Sequence, residues 1–313
     1  MTELELRKIA EQLWIAIKDE DCVAWIGAGL STPAGYLGWP ETVQQLCDVC
    51  CVPPLDLDHQ STQHLMDKAE ECKQANPRAY ADKLAALFGR TVAKARQAYY
   101  PLLRVPFRGY VTTNFDPLLL EAASSIGGFE LLAYPHLPPD WLGNKPKKPL
   151  YYIHGVARDK DNRPSGDNLI LATSDFQHAY GGTVRPLIDT ILLYRPVIFI
   201  GCNLGEPQIE ESFRRVHAIH EELKKSSTTF NIKPRYALLP RRMMVSRGKR
   251  SRTPKPDHDR EQGEDSRLNA SAIEVVRYSH ADETHSEIEE ILEFLLELAG
   301  KPTGISPSKG LPS

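Results

Sequence analysis

No apolar run in this chain approaches the roughly 18 residues that a membrane-spanning helix needs. The first residues, MTELELRKIAEQLW, are charged where a signal peptide has an uninterrupted apolar stretch. Cysteine is scarce: six in 313 residues, irregularly spaced, do not make a disulfide framework. An excess of one charge is missing too. Lysine and arginine number 38 against 41 acidic residues, a formal net charge of −3, so there is no global basic signature for nucleic acid or a membrane surface. No internal repeat stands out. What remains is an ordinary globular composition, 41% hydrophobic and 25% charged, on a chain long enough to bury a sizeable core. The sparse cysteines lead us to expect the reducing cytoplasm, with no membrane association and no direct nucleic-acid binding.

The hydrophobic pattern alternates helices with short strands. Leu4, Leu6, Ile9, Leu13, Trp14 and Ile17 recur at helical spacing. The apolar run from Cys22 to Ile26 then stops at Gly27, as a buried strand entering a glycine turn does. Residues 40 to about 105 read as helical in four pieces (41–51, 61–74, 77–88 and 91–103), punctuated by Pro53-Pro54 and Asn76-Pro77. Strands are expected at 109–112, 130–134, 150–153, 169–171, 197–200, 236–239 and 273–277, with helices over 116–125, 174–194, 207–224 and 283–299. Short apolar strands separated by helices indicate an α/β fold: a Rossmann-like, mostly parallel sheet with helices on both faces, carrying an inserted small helical subdomain at about 40–105. Residues 241–271 hold nine basic and five acidic side chains. They are expected to form a disordered basic loop, either a solvated excursion or a docking site for an acidic partner or nucleic acid. A flexible tail is expected over 300–313.

Four expected strands end in glycine or polar residues, where open α/β sheets bind ligands. At Gly27-Ala28-Gly29-Leu30-Ser31 a tight turn would let the backbone approach a phosphate, and a following helix would offer its free N–H groups. The spacing Gly-x-Gly-x-x-Gly and the phosphate-loop lysine are both absent, which argues against a dehydrogenase site and a nucleoside-triphosphate cradle. The second motif is Thr112-Thr113-Asn114-Phe115-Asp116-Pro117. Its Asp116-Pro117 reads either as a capped helix start or as part of a polar ligand cluster, and capping alone leaves Asn114 without a role. The third ends in His154-Gly155, with the imidazole a hydrogen-bonded structural group or a general base near neutral pH. The fourth, Gly201-Cys202-Asn203-Leu204-Gly205-Glu206-Pro207, runs a buried strand into a turn and a new helix.

In this order the four motifs resemble the sirtuin superfamily of NAD-consuming domains. They are closer to the sirtuin-like NAD-hydrolase domains of bacterial anti-phage defence systems than to the protein deacylases. The resemblance runs over about residues 20–298 and implies a sirtuin-like NAD-binding domain across 1–299. It implies that Gly27, Ala28, Gly29 and Ser31 line the pyrophosphate and ribose end of NAD. Thr113, Asn114 and Asp116 fall on the family's Thr/Gln-x-Asn-x-Asp motif around the nicotinamide ribose, and His154 falls on its catalytic histidine. Gly201 and Asn203 sit on the loop that contacts the adenosine half. The implied catalytic set is therefore Asn114, His154 and Asp116. NAD would be the substrate, cut into nicotinamide and ADP-ribose in an abortive antiviral response controlled by a separate partner protein or by homo-oligomerisation. Two departures bear on the reaction. Gly35-Tyr36-Leu37-Gly38-Trp39-Pro40 stands where deacylases carry Gly-Ile-Pro-Asp-Phe-Arg, and the zinc ribbon after the His-Gly motif is missing, since Cys202 is the only cysteine beyond His154. Cys47, Cys50, Cys51 and Cys72 lie on expected helices without zinc-ligand spacing, so no metal is expected. A protein deacylase and a non-catalytic NAD- or ADP-ribose-binding regulatory subunit stay open as alternatives.

Overall fold

The structure, a computed structural model, describes residues 1–55, 61–90, 99–137, 147–226, 232–242, 257–279 and 286–300. Its strands are β1 (Val23–Ile26), β2 (Gly109–Thr112), β3 (Phe129–Ala133), β4 (Lys148–Tyr152), β5 (Val197–Ile200), β6 (Arg235–Pro240) and β7 (Glu274–Tyr278). They form one sheet in the order β3-β4-β2-β1-β5-β6-β7, and every neighbouring pair is parallel. The helices of the described residues are α1 (Glu3–Ile17), α2 (Trp39–Cys50), α3 (Thr62–Ala75), α4 (Pro77–Phe88), α5 (Tyr99–Arg104), α6 (Leu118–Ile126), α7 (Thr173–Gly181), α8 (Val184–Tyr194), α9 (Pro207–Ser226), α10 (His258–Asn269) and α11 (Ser286–Leu298).

Successive side chains of a strand point to opposite faces, and this sorts the sheet into two cores. Ala24, Ile26, Tyr110, Ile198, Ile200 and Leu238 face α1 to α6 and α11. Val23, Trp25, Val111, Val197, Phe199 and Leu239 face α7 to α10. Because both faces are covered, β1 and β5 are apolar at every position, not at alternate ones. The helical insertion lies between β1 and β2, and Leu46, Leu65 and Leu84 of α2 to α4 belong to the same core as one sheet face.

Three expectations are corrected. Residues 169–171 are buried but form no strand; their backbone runs beside the loop after β4, where Ile170 N–H donates to the His154 carbonyl at 3.0 Å. An apolar run of this length is buried either way, so pattern alone cannot separate the two cases. The helix expected over 174–194 is two helices, α7 and α8, parted at Gly182. The basic segment is not irregular to its end. Asp257 caps α10 by accepting the Arg260 N–H at 3.2 Å, and Glu264 of α10 pairs with Arg242 at 2.6 Å and Arg277 at 2.8 Å. Part of the charge that suggested a solvated loop, Arg242 and Glu264, is thus ion-paired. Residues 243–256, the expected tail from 301 and the helical piece at 91–98 lie outside the described residues.

The chain leaves β1 for β2 on one side and later places β5 on the other, so a crevice opens at the carboxyl end of β1. Its floor is two interlocked loops. A Cβ on Gly27 would lie 2.5 Å from Cys202 Cα, and one on Gly29 would lie 2.9 Å from Gly201 Cα. Gly201 itself has φ +65, and a Cβ there would meet Leu30 Cδ1 at 2.7 Å. These glycines are therefore demanded by backbone meeting backbone. Gly27→Ala is expected to force the loops apart and to cost about 1–3 kcal/mol, as overpacking does, lowering the midpoint of thermal unfolding measured by circular dichroism. Gly263→Ala, in α10 with nothing within 4 Å of its Cβ, should raise that midpoint instead.

Candidate active site

A cavity of about 420 Å³ lies over the carboxyl ends of β1, β2, β4 and β5, within the usual range for a small-molecule site. Gly27, Ala28 and Ser31 line it after β1; Thr113, Asn114 and Asp116 after β2; His154 after β4; Cys202, Asn203 and Glu206 after β5. Further walls come from Tyr36 to Pro40 at the entry to α2, from Leu65 of α3 and from Phe88 of α4. Of the residues singled out from sequence, Gly29 and Gly201 do not line the cavity; they make the loop contact beneath it. No α-helix follows the glycine turn directly. Two 3-10 turns, Ala28–Leu30 and Thr32–Ala34, take its place, and Gly35 at φ +79 ends them.

The loop after β2 is sewn to β1. Thr112 Oγ1 donates to the Ile26 carbonyl at 2.9 Å and accepts the Asn114 N–H at 3.0 Å. Asn114 Nδ2 donates to the Gly27 carbonyl at 3.0 Å and to Ser31 Oγ at 3.2 Å. A carbonyl can only accept, so the amide nitrogen is fixed on that side. Ser31 Oγ lies 2.9 Å from the buried Tyr99 hydroxyl. Asp116 is buried, and burial raises its carboxyl to about 6, while hydrogen bonds from Ser31 and from Leu118 N–H act against the rise. The Leu118 bond, 3.2 Å long, starts α6. The N-cap of α6 is Pro117, not Asp116 as expected; Asp116 stands one residue earlier, where it accepts this N–H and also lines the cavity.

His154 is 1% exposed. Its Nε2 lies 2.8 Å from the Tyr180 hydroxyl of α7 and 3.7 Å from Glu206 Oε2, and its ring meets Phe176 edge-on at 5.2 Å. Burial lowers the imidazole to about 3 and raises the Glu206 carboxyl to about 8. At neutral pH the histidine is neutral, Glu206 is mostly protonated and Asp116 mostly ionised. Sequence reasoning missed Glu206 and Tyr180. Glu206 stood inside the fourth motif, where its one signal was a glutamate at a helix start that usually takes Ser, Thr, Asp or Asn. Tyr180 is on a helix with no motif of its own.

Cys47 of α2 and Cys72 of α3 are buried with their sulfurs 3.7 Å apart. Among the described residues no group of three or more His, Cys, Asp or Glu is disposed to hold a metal ion, and no helix is long and apolar enough to cross a membrane.

The model of the SIR2-like domain family matches residues 108–274, more than half of the chain. The chain belongs to the SIR2-like domain family. The matched stretch takes in Asn114, Asp116, His154 and Asn203, whereas the glycine turn after β1 precedes it. The SIR2-like chain is similar to a protein of Acinetobacter baumannii (strain 532279) named NAD(+) hydrolase ThsA, with 24% identity over 230 residues, 71% of this chain and 44% of that protein. Proteins of the same name from Cytobacillus dafuensis and Bacillus cereus (strain MSX-D12) are 22% and 23% identical over 65% and 66% of this chain and 40% and 42% of their own lengths. The chain spans less than half the length of these curated relatives.

The buried imidazole makes a stability prediction. Between about pH 3 and 6.5 the unfolded chain binds a proton at this histidine that the folded chain refuses, so this group makes stability fall as pH drops through that window. His154→Gln is expected to lose less stability than the wild type between pH 7 and pH 5, by about 2 kcal/mol at pH 5, as measured by urea denaturation.

Proposed function

We propose that the chain is an NAD+ hydrolase that cleaves the nicotinamide–ribose bond. The observation that carries this reading is a single cavity, at the switch point of a SIR2-like domain, in which Asn114, Asp116 and a neutral His154 meet. The name shared by its relatives supports the same activity. As the bond between the ribose anomeric carbon and the ring nitrogen breaks, its electron pair goes to the pyridinium nitrogen. Nicotinamide leaves neutral and needs no acid catalyst. Positive charge then gathers on the ribose, and water adds to the anomeric carbon with loss of a proton, giving ADP-ribose.

Each residue has a part in that sequence. Asp116, ionised above about pH 6, puts negative charge in a cavity of low dielectric where the ribose cation forms. Asn114 has committed its Nδ2 hydrogens to Gly27 and Ser31, so Oδ1 is the atom left to accept from a ribose hydroxyl or the attacking water. His154 has Nε2 engaged with Tyr180, and its Nδ1 takes the proton from the nucleophile. Tyr36, Trp39, Phe88 and Phe115 provide flat apolar walls that exclude bulk water and offer stacking surfaces. Unrestrained loss of NAD kills a cell, so the activity fits an anti-phage response held off until a partner protein or self-association releases it.

Mass spectrometry of NAD+ incubated with the purified chain, alone and with lysate of phage-infected bacteria, tests the reading. Nicotinamide and ADP-ribose are expected in equal amounts. Asn114→Ala and His154→Ala should each lower their release by about 10²–10⁴-fold without changing the far-UV circular dichroism spectrum. Unchanged turnover in both variants would overturn the site. O-acyl-ADP-ribose from an acylated peptide, with no free ADP-ribose, would overturn hydrolysis in favour of deacylation.

A further inference from the structure

We propose that Glu206 is a positioning residue for His154, its carboxyl group holding the Nε2 side of the imidazole and supplying the counter-charge when Nδ1 takes up a proton. The catalytic meaning of this pair rests on the hydrolase reading of the same cavity; the pair itself rests on geometry.

Glu206 immediately precedes α9, and its carbonyl accepts the N–H groups of Ile209 at 3.1 Å and Glu210 at 2.9 Å. It therefore occupies the capping position. A serine or aspartate there would turn its side-chain oxygen onto the amides of the first turn. The longer glutamate does not. Its Oε2 is buried, has no hydrogen-bond partner among the described residues, and lies 3.7 Å from His154 Nε2 in the wall of the cavity. A buried acid oxygen without a partner is costly to keep and calls for a reason. With Tyr180 Oη at 2.8 Å on the same nitrogen, two oxygens face Nε2. A proton on Nε2 leaves Nδ1 as the unprotonated, accepting nitrogen, the tautomer a general base requires.

The need for a counter-charge follows from the burial of His154. An imidazole held at about 3 takes no proton at neutral pH unless negative charge stands beside it. The titratable and charged groups around Glu206 are His154 after β4, the Tyr180 hydroxyl of α7, the Cys202 thiol of its own loop and Asp116 elsewhere in the cavity wall, with Arg185 of α8 acting on the same tyrosine and Arg267 of α10 donating to the nearby Leu204 carbonyl at 2.8 Å. No lysine or arginine is among the described residues lining the cavity. Of the two acids there, Glu206 is the one within ion-pair reach of the ring. The amino end of α9 favours its ionised form, and burial delays that form until about pH 8. The assisting carboxylate thus accumulates as pH rises through 8, and the rate of NAD+ cleavage should rise with it.

The experiment uses the full chain with ¹⁵N-labelled histidine. The ring nitrogens of His154, assigned by their absence in His154→Ala, are followed by NMR from pH 6 to 9.5 in the wild type, Glu206→Gln and Glu206→Asp, beside the pH profile of nicotinamide release. In the wild type the His154 shifts should move with a midpoint near pH 8, and in Glu206→Gln, nearly isosteric, that movement should vanish. Glu206→Gln should also lose about 10²-fold in kcat with KM within about twofold, together with the alkaline rise in rate, and Glu206→Asp should recover part of it. Identical His154 shifts in wild type and Glu206→Gln, or a Glu206→Gln enzyme with wild-type kcat and pH profile, would overturn the proposal. Shifts that differ as expected while neither protein cleaves NAD+ would sustain the pair and reject the hydrolase reading.

Discussion

The peptide of Gly27 ties the molecule's active end together. Its N–H donates to the Ile200 carbonyl of β5 at 2.9 Å, and its carbonyl accepts from Asn114 at 3.0 Å. One residue earlier, the Ile26 carbonyl accepts from Thr112 Oγ1, and the Thr112 carbonyl in turn accepts the Ile153 N–H at 3.0 Å, next to His154. The ends of β5, β1, β2 and β4 are thereby joined in a row, and each join fixes a residue of the cavity. This row is possible because the loops of β1 and β5 touch backbone to backbone, which only glycine permits at Gly27 and Gly29. The ligand's own space begins above that contact.

Among the titratable groups of the cavity, two carboxyls and an imidazole are pushed furthest toward neutral pH or away from their ordinary charge. Burial is the main cause for all three: it raises Asp116 to about 6 and Glu206 to about 8, and lowers His154 to about 3. Separated titrations of this kind are how one site keeps an anion, an acid and a neutral base side by side at one pH. Hydrogen bonds from Ser31 and Leu118 oppose the rise at Asp116, whereas Glu206 Oε2 has no hydrogen-bond partner among the described residues.

The sheet was legible because buried parallel strands leave a plain mark. The apolar runs of β1 and β5 stop at glycine in the sequence, and in the structure they stop at the crevice. Asn114, Asp116 and His154 were legible because polar residues at strand ends are few and stand out against such runs. The role of the glycines was not. A sequence shows that Gly27 and Gly29 need room, but not that the backbone of Gly201 and Cys202 takes it. Nor could the run at 169–171 be told from a strand, since its burial comes from the cover of the loop after β4. Glu206 and Tyr180 escaped for a related reason: they matter through a distance to His154, and no spacing along the chain encodes that distance.

The helical block between β1 and β2 closes the argument about what the cavity admits. It supplies the walls from Tyr36, Trp39, Leu65 and Phe88, and it is clasped to the rest of the fold at several places. Arg158 donates to the Gly89 carbonyl at the end of α4, and within the block Tyr36 Oη donates to the Arg90 carbonyl at 2.7 Å. On another side Lys73 of α3 pairs with Asp175 of α7, Thr173 Oγ1 donates to Asp67 at 2.7 Å, and Ser174 Oγ donates to Glu70 at 2.6 Å. α7 also carries Tyr180, which holds His154. The apolar wall and the histidine are therefore fixed to one another through α3 and α7, while Asn114 and Asp116 are fixed to the sheet through β1 and α6. A ligand that bridged the two sets would touch both supports at once, so the spacing between histidine and asparagine is set by the packing of the block on the sheet, and it is this packing that holds the polar groups of the cavity at one distance before any ligand arrives.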